Sequence, residues 1–283
     1  MKVGIIGYGF VGSALKNGLK DNVEVLKIDP KLNTNISMLK TFNPDIIFLC
    51  LPTPVSDDGS LQDISKLEEA IKDIIAMKMS CLVVIKSTVL PNYLKSISGL
   101  YEKLIHNPEF LREVSADEDF INSKLIVFGG EMKYTKTLAS FYKKHTKCIS
   151  DDYIFTDIIS ASFIKYTINS FLSTKVIFFN ELKKLFDKSG TKQSWENFIL
   201  AITKDERIGN SHMQVPGPDG RYGFGGACLP KDSKAFVEYA DKMNQPLEIL
   251  QKVVNLNIAI RSSYEELIER EESQNIKFFK ELY

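Results

Sequence analysis

The stretch GIIGYGFVGSAL, residues 4–15, narrows the possible folds more than any other in the chain. A short apolar run, KVGIIG, leads into Gly7, Gly9 and Gly12, spaced G-x-G-x-x-G, and an amphipathic helical pattern follows at once. In such a turn the first glycine permits the tight bend, the second lets a pyrophosphate approach the backbone, and the third allows close packing of helix on strand. The opening of the helix offers unpaired N–H groups and a partial positive charge to the phosphates. Gly7, Tyr8, Gly9, Phe10, Val11 and Gly12 are therefore candidate dinucleotide contacts. A second β-rich run, VEVLKID, ends in Asp29, about where an acidic side chain would bind the adenosine ribose hydroxyls. An aspartate there repels the extra phosphate of NADP, so NAD is the expected cofactor.

The rest of the first half continues the same alternation. IIFLCL, LVVIKST and LIVFGG read as further strands, and FVGSALKNGL, ISKLEEAIKDIIAM and PNYLKSISGLYEKL as helices. Strands joined through crossover helices form a parallel sheet. Residues 1–150 are thus expected to be a Rossmann-type, doubly wound α/β domain, and residues 151–283 a mainly helical one. The second half opens on a long helical pattern running from Ile154 to Gly190, with the glycine as C-cap. A final helix is expected over EILQKVVNLNIAIRSSYEELIEREE. With 36 basic and 36 acidic residues the chain has no net field to recruit nucleic acid. No apolar stretch reaches the roughly 18 residues of a membrane span. The four cysteines form no paired spacing that suggests a metal site or a disulfide framework. Cytoplasmic residence, with no membrane, nucleic acid or metal, is the expectation.

Between two helical patterns lies a long turn-rich segment, GNSHMQVPGPDGRYGFGGACLP, and loops of this length are commonly functional. Cys50 and Cys81 sit in or beside strand patterns as small hydrophobes, and Cys148 has basic neighbours without an organised loop. Cys228 differs. Gly223, Gly225 and Gly226 remove side chains ahead of it, as if to let another molecule come close, and Pro230 reads as the first residue of a helix. A thiol at a helix N-terminus lies in a field that favours its thiolate, and Lys231 is expected to add to that field.

GFGGACLPKD resembles the active-site cysteine signature of the UDP-glucose and GDP-mannose dehydrogenase family. LPTP at 51–54, KSTVLP at 86–91, NPEFLRE at 107–113, ASFIKYTINSF at 161–171 and DERIGN at 205–210 resemble that family's other motifs, in the same order. The resemblance spans nearly the whole chain. It implies NAD-dependent oxidation of a nucleotide-sugar alcohol to the acid, with Cys228 as the nucleophile that holds the aldehyde. Lys165 and Asn169, four apart and so on one helical face, would stabilise the developing oxyanion.

By the same resemblance Asp232, Glu109 and Thr88 handle water and protons, with neither carboxylate assigned to a given step. Pro52, Thr53, Thr88, Glu113 and Lys231 would join the cofactor site. The segment Glu109, Phe110, Leu111, Arg112 and Glu113, with Lys165, Asn169, Tyr222, Phe224, Gly225 and Cys228, would meet the sugar. The backbone amides of VPGPDGRYGFGG would wrap the sugar and diphosphate. Arg207 would reach the site of a neighbouring subunit, in a homodimer formed through the last long helix, which carries Asn257.

Family members carry a second α/β domain after that helix, and nothing in this sequence resembles it. Ala227, where another branch has histidine, points to the UDP-glucose or GDP-mannose branches, and RIGN at 207–210 leans to UDP-glucose, with GDP-mannose as the alternative. A two-electron hydroxyacid dehydrogenase, which has no use for a nucleophilic thiol, and a non-catalytic partner-dependent core are the competing readings.

Overall fold

Strands β1 (Lys2–Ile6), β2 (Glu24–Ile28), β3 (Ile46–Leu49), β4 (Leu82–Ile85), β5 (Leu104–His106), β6 (Ile126–Gly129) and β7 (Tyr153–Thr156) are short runs dominated by apolar residues. Successive side chains on a strand point to opposite faces, and here both faces of the central strands are buried. Val3, Ile5, Phe48, Val84 and Ile105 pack on one side with Leu15, Phe128 and Tyr142. Ile6, Ile47, Leu49, Val83 and Ile85 pack on the other with Leu67, Ile71 and Ile74. The computed structural model that gives these contacts describes residues 1–56 and 62–278.

The strands form one seven-stranded sheet in the order β2-β1-β3-β4-β5-β6-β7. Pairing is parallel from β2 through β5. It is antiparallel between β5 and β6, and parallel again between β6 and β7. The fold is therefore the expected doubly wound α/β type, with two corrections. The sheet is not wholly parallel, because its last two strands run the other way. In addition, β5 starts on the last residue of PNYLKSISGLYEKL and β7 overlaps the start of the long helical pattern, both stretches expected to be helical.

The helices are α1 (Phe10–Asn17), α2 (Met38–Phe42), α3 (Ser65–Ala76), α4 (Pro91–Ser98), α5 (Ala116–Ile121), α6 (Met132–His145), α7 (Ile158–Lys188), α8 (Trp195–Ile202), α9 (Leu229–Lys242), α10 (Glu248–Arg261) and α11 (Glu269–Ser273). Helix α3 shows how the sequence sets burial: Leu67, Ala70, Ile71 and Ile74 recur at helical spacing and are its buried positions. The single final helix that was expected is interrupted after Arg261 and resumes only as the short α11.

Packing divides the chain into two compact units. One comprises Met1–Thr53 and Gln62–Lys165, and the other Pro54–Leu61 and Tyr166–Tyr283. The division thus falls inside α7, later than the boundary after residue 150 expected from the fading strand pattern. In the second unit Phe179, Trp195, Met213 and Val215 form one core cluster, and Ile177, Phe224 and Val253 another.

Candidate active site

In the first unit the motifs fall at consecutive carboxyl ends of the parallel strands. The glycine turn follows β1, Asp29 follows β2, Pro52 and Thr53 follow β3, Thr88 follows β4 and Glu109 follows β5. In a doubly wound sheet ligands bind outside those ends, where the strand order reverses. Here the order reverses between β1 and β3.

The three glycines of the turn have separate physical roles. Gly7 adopts φ +88°, and a side chain on it would lie 2.4 Å from the Cys50 carbonyl oxygen. A side chain on Gly12 would meet the Gly7 carbonyl oxygen. Gly9 faces open space, with no atom within 4 Å of where its Cβ would be. Asp29 Oδ2 accepts a hydrogen bond from Tyr8 N at 2.8 Å, and its Oδ1 accepts from Lys31 N at 2.9 Å. The carboxylate is thereby held against the turn. An open cradle over Gly9, the N-terminus of α1 and a fixed carboxylate beside them fit a dinucleotide.

Thr88 is fixed through its backbone. Its carbonyl accepts from Thr53 Oγ1 and from Gln62 Nε2, both at 2.8 Å. Gln62 was not singled out in the sequence, because an isolated glutamine outside any motif carries no local signal.

Lys165 and Glu109 form a buried ion pair at 3.1 Å. The Lys165 ammonium also donates to the Glu109 carbonyl at 2.7 Å and lies 5.3 Å from the centre of the Phe110 ring. Glu109 Oε2 accepts from Leu111 N at 2.7 Å. Leu111 packs on the apolar core of the sheet. Arg112 turns away and pairs with Asp119 at 2.7 Å, and Glu113 is exposed in a single 3-10 turn.

Behind this segment lies an unexpected polar cluster. Lys86 donates to Asn107 Oδ1 at 3.0 Å, and Tyr142 donates to the same atom at 2.6 Å. Burial pulls the Lys86 ammonium down to about 8 and the His106 imidazole to about 3.

In the second unit Cys228 occupies the N-cap of α9, one position earlier than expected, with Leu229 as the first helical residue and Pro230 next. The first turn of α9 carries Asp232, whose N–H donates to the Cys228 carbonyl at 2.9 Å. Asp232 is buried between two partners: Asn169 donates to its Oδ2 at 2.6 Å and Lys231 to its Oδ1 at 2.5 Å. The Lys231 charge is therefore taken up by its neighbouring carboxylate, which offsets the field it was expected to add at the thiol. No disulfide joins any of the four cysteines. Burial pushes the Cys50 thiol up to about 12 and raises Cys81 and Cys148 as well. Those three are held in the unreactive thiol form.

The loop before Cys228 corrects the reading of its glycines and amides. A side chain on Gly223, which has φ +75°, would lie 2.6 Å from Asn257 Oδ1, and one on Gly225 would run into Arg261 and Glu271. These two glycines make room for the protein's own side chains, and of the three only Gly226 faces open space. The loop amides are also engaged internally. Tyr222 N donates to Tyr264 Oη at 2.8 Å, Gly223 N to Asn180 Oδ1 at 2.9 Å, and Phe224 N to Asn257 Oδ1 at 2.7 Å.

Phe224 itself is buried in the core, and Tyr222 is partly exposed. Asn257, placed in the sequence on a helix expected to form a dimer, closes both backbone groups of Phe224, since its Nδ2 also donates to the Phe224 carbonyl at 2.9 Å. Arg207 is exposed and pairs with Asp205. The turn that carries it is held by Lys175, whose ammonium donates to the Ile208 carbonyl at 2.9 Å. Among the described residues no cluster of three or more His, Cys, Asp or Glu could hold a metal ion.

Comparison with known proteins matches residues 14–146 to the UDP-glucose/GDP-mannose dehydrogenase family, NAD binding domain, and residues 159–259 to the central domain of the same family. The UDP-glucose 6-dehydrogenase of Rickettsia felis is 35% identical over 234 residues, which cover 79% of this chain and 50% of that protein. The UDP-glucose 6-dehydrogenase YwqF of Bacillus subtilis is 32% identical, covering 85% of this chain and 54% of its own length. The chain thus spans about half the length of these curated relatives. A solved UDP-glucose dehydrogenase from Pyrobaculum islandicum superposes with a TM-score of 0.76 at 25% identity, covering 90% of this chain and 67% of that one.

Proposed function

Because this chain belongs to the UDP-glucose/GDP-mannose dehydrogenase family, we propose that it is an NAD-dependent nucleotide-sugar 6-dehydrogenase that oxidises UDP-glucose to UDP-glucuronate. The observation that carries the reading is Cys228 at the N-cap of α9 with the buried Asn169–Asp232–Lys231 group in the next turn. That combination suits covalent handling of an aldehyde, and a two-electron dehydrogenase has no use for the nucleophilic thiol in it.

In this reading the glycine turn, Asp29, Pro52, Thr53 and Thr88 hold NAD, which supplies the hydride acceptor. The sugar C6 alcohol first loses a hydride and a proton to give the aldehyde. The Cys228 thiolate adds to the aldehyde carbon, and the oxygen takes a proton, giving a thiohemiacetal. Loss of a second hydride from the carbon and of the hydroxyl proton, for which Asp232 and Glu109 are the nearby carboxylates, leaves a thioester. Water cleaves it to the acid and regenerates the thiol. Asn169 and Lys165, four residues apart on α7, are suited to stabilise the oxyanions of addition and hydrolysis. Asp232 and Glu109, each already bonded to one of them, are the carboxylates available to move protons.

The partner surface is proposed on α7 in place of the last helix. Leu250, Val253, Val254 and Ile258 of α10 are buried within their own unit, whereas Phe171, Phe178 and Leu185 stand exposed at seven-residue spacing along α7. A second copy pairing there would form a homodimer and bring Arg207 of one subunit within reach of its partner. Among the described residues no helix is long and apolar enough to cross a membrane. The four cysteines lie outside disulfides, as in a reducing compartment, which is the support for proposing a cytoplasmic enzyme.

The test is NADH formation with UDP-glucose and, separately, GDP-mannose. Two NADH per sugar acid from the native chain are expected, with Cys228→Ser blocked or stalled on an ester. One NADH per product, or an unaffected Cys228→Ser, would remove the thioester. No turnover on either sugar would favour a non-catalytic core.

A further inference from the structure

We infer that the end of α10 and the segment after it, residues 261–271, are an internal clamp on the cysteine loop, and that Glu271 is a positioning residue for Cys228. The inference rests on the reading of Cys228 as the nucleophile. Four separate ties join the segment to the loop. Arg261 Nη1 donates to Asp219 Oδ2 at 2.7 Å, Arg221 Nη1 donates to the Glu266 carbonyl at 2.6 Å, and Tyr264 Oη accepts from Tyr222 N at 2.8 Å. The fourth comes from Glu271, whose Oε1 accepts from Gly226 N at 3.3 Å, two residues before the thiol.

Glu271 is fully buried and uses both oxygens. Oε1 also accepts from Arg261 Nη2 at 2.7 Å, and Oε2 accepts from Ile268 N at 3.0 Å. The loop lies directly on this ion pair, since a side chain on Gly225 would come within 2.4 Å of both Arg261 Nη2 and Glu271 Oε1. A buried ion pair adds little stability over well-packed apolar groups, but its directional bonds fix one arrangement. The arrangement fixed here is the approach to the N-cap of α9. Gly226, with φ +80° and open space around it, is the point at which an untied loop would turn.

The experiment compares the native protein with Glu271→Ala and Glu271→Gln by hydrogen exchange, NAD titration and, where turnover is found, steady-state kinetics. In Glu271→Ala, amides between 220 and 228 should exchange about tenfold faster or more while the sheet keeps its protection. NAD affinity and the KM for NAD should hold, with kcat down at least about tenfold. Glu271→Gln retains an acceptor and should fall between the two. If Glu271→Ala does not fold, the double variant Arg261→Met/Glu271→Met replaces the pair by apolar groups and should still show fast exchange at Gly226 and low kcat. Unchanged exchange at 220–228 in a folded variant, or unchanged kcat per folded molecule, would overturn the clamp. Should the native chain turn over no nucleotide sugar, the dehydrogenase reading falls while the exchange data still decide whether Glu271 holds the loop.

Discussion

Replacing Gly9 by alanine should separate ligand binding from folding at the glycine turn, with Gly12→Ala as the opposite case. Gly9 has φ −75° and ψ −161°, within reach of any residue, and no atom lies within 4 Å of its added Cβ. Alanine there should leave the fold unharmed and add about 0.4–1 kcal/mol by narrowing the unfolded ensemble. The methyl would stand where a pyrophosphate must approach, so NAD should bind about 30- to 100-fold more weakly, equivalent to about 2–3 kcal/mol. In Gly12→Ala the added carbon would sit 2.2 Å from the Gly7 carbonyl oxygen, against backbone that cannot rotate away. Overpacking of that kind costs about 1–3 kcal/mol, offset in part by up to about 1 kcal/mol of helix propensity in α1. Urea melts should therefore place Gly12→Ala about 1–2 kcal/mol below native and Gly9→Ala level with or above it. Calorimetric NAD titration should show the binding defect in Gly9→Ala. A Gly9→Ala protein that melts like Gly12→Ala, or binds NAD like the native one, would refute the reasoning.

Lys86 and His106 should leave a signature in stability against pH. The folded-state Lys86, at about 8, lies below its unfolded value of 10.5, so between them the unfolded chain carries the extra proton and stability rises with pH. The Lys86 contribution should approach about 1.4 kcal/mol per pH unit, read as the difference in slope between native and Lys86→Met urea melts from pH 8 to 9, below the range where the buried Cys50 thiol, at about 12 folded, opposes it. His106, at about 3 folded against 6.5 unfolded, should make stability fall as pH drops from 6.5 toward 3, and His106→Phe should flatten that limb. Breaking the buried pair with Lys165→Met or Glu109→Leu alone should cost about 3–5 kcal/mol, and the double variant less than the sum, measured as a thermodynamic cycle. Serine at Phe171, Phe178 and Leu185 together should convert a dimer to a monomer in sedimentation, and a native chain that sediments as a monomer would remove the α7 surface from consideration.

What the chain disclosed by itself came from local requirements. The glycine spacing, the acidic residue closing the second strand and the alternation of apolar runs each depend on a few neighbouring residues, so the doubly wound fold and the cofactor turn could be read directly. The motifs LPTP, KSTV and NPEFLRE were legible as motifs, yet only parallel pairing of β1, β3, β4 and β5 lines them up along one sheet edge. The strand β5, Leu104–His106, was hidden because it begins on the last residue of a helical pattern without an intervening break.

Tertiary structure decided what the side chains face. The sequence showed three glycines ahead of Cys228 but not that two of them clear space for Asn257, Arg261 and Glu271, more than 30 residues further along. It showed Lys231 beside Asp232 but not that burial joins them, with Asn169, into one network. Local conformation follows from short-range sterics and periodicity, which the sequence states outright. Which buried polar groups meet depends on contacts between distant segments, fixed only when the whole unit packs and each buried donor must find an acceptor.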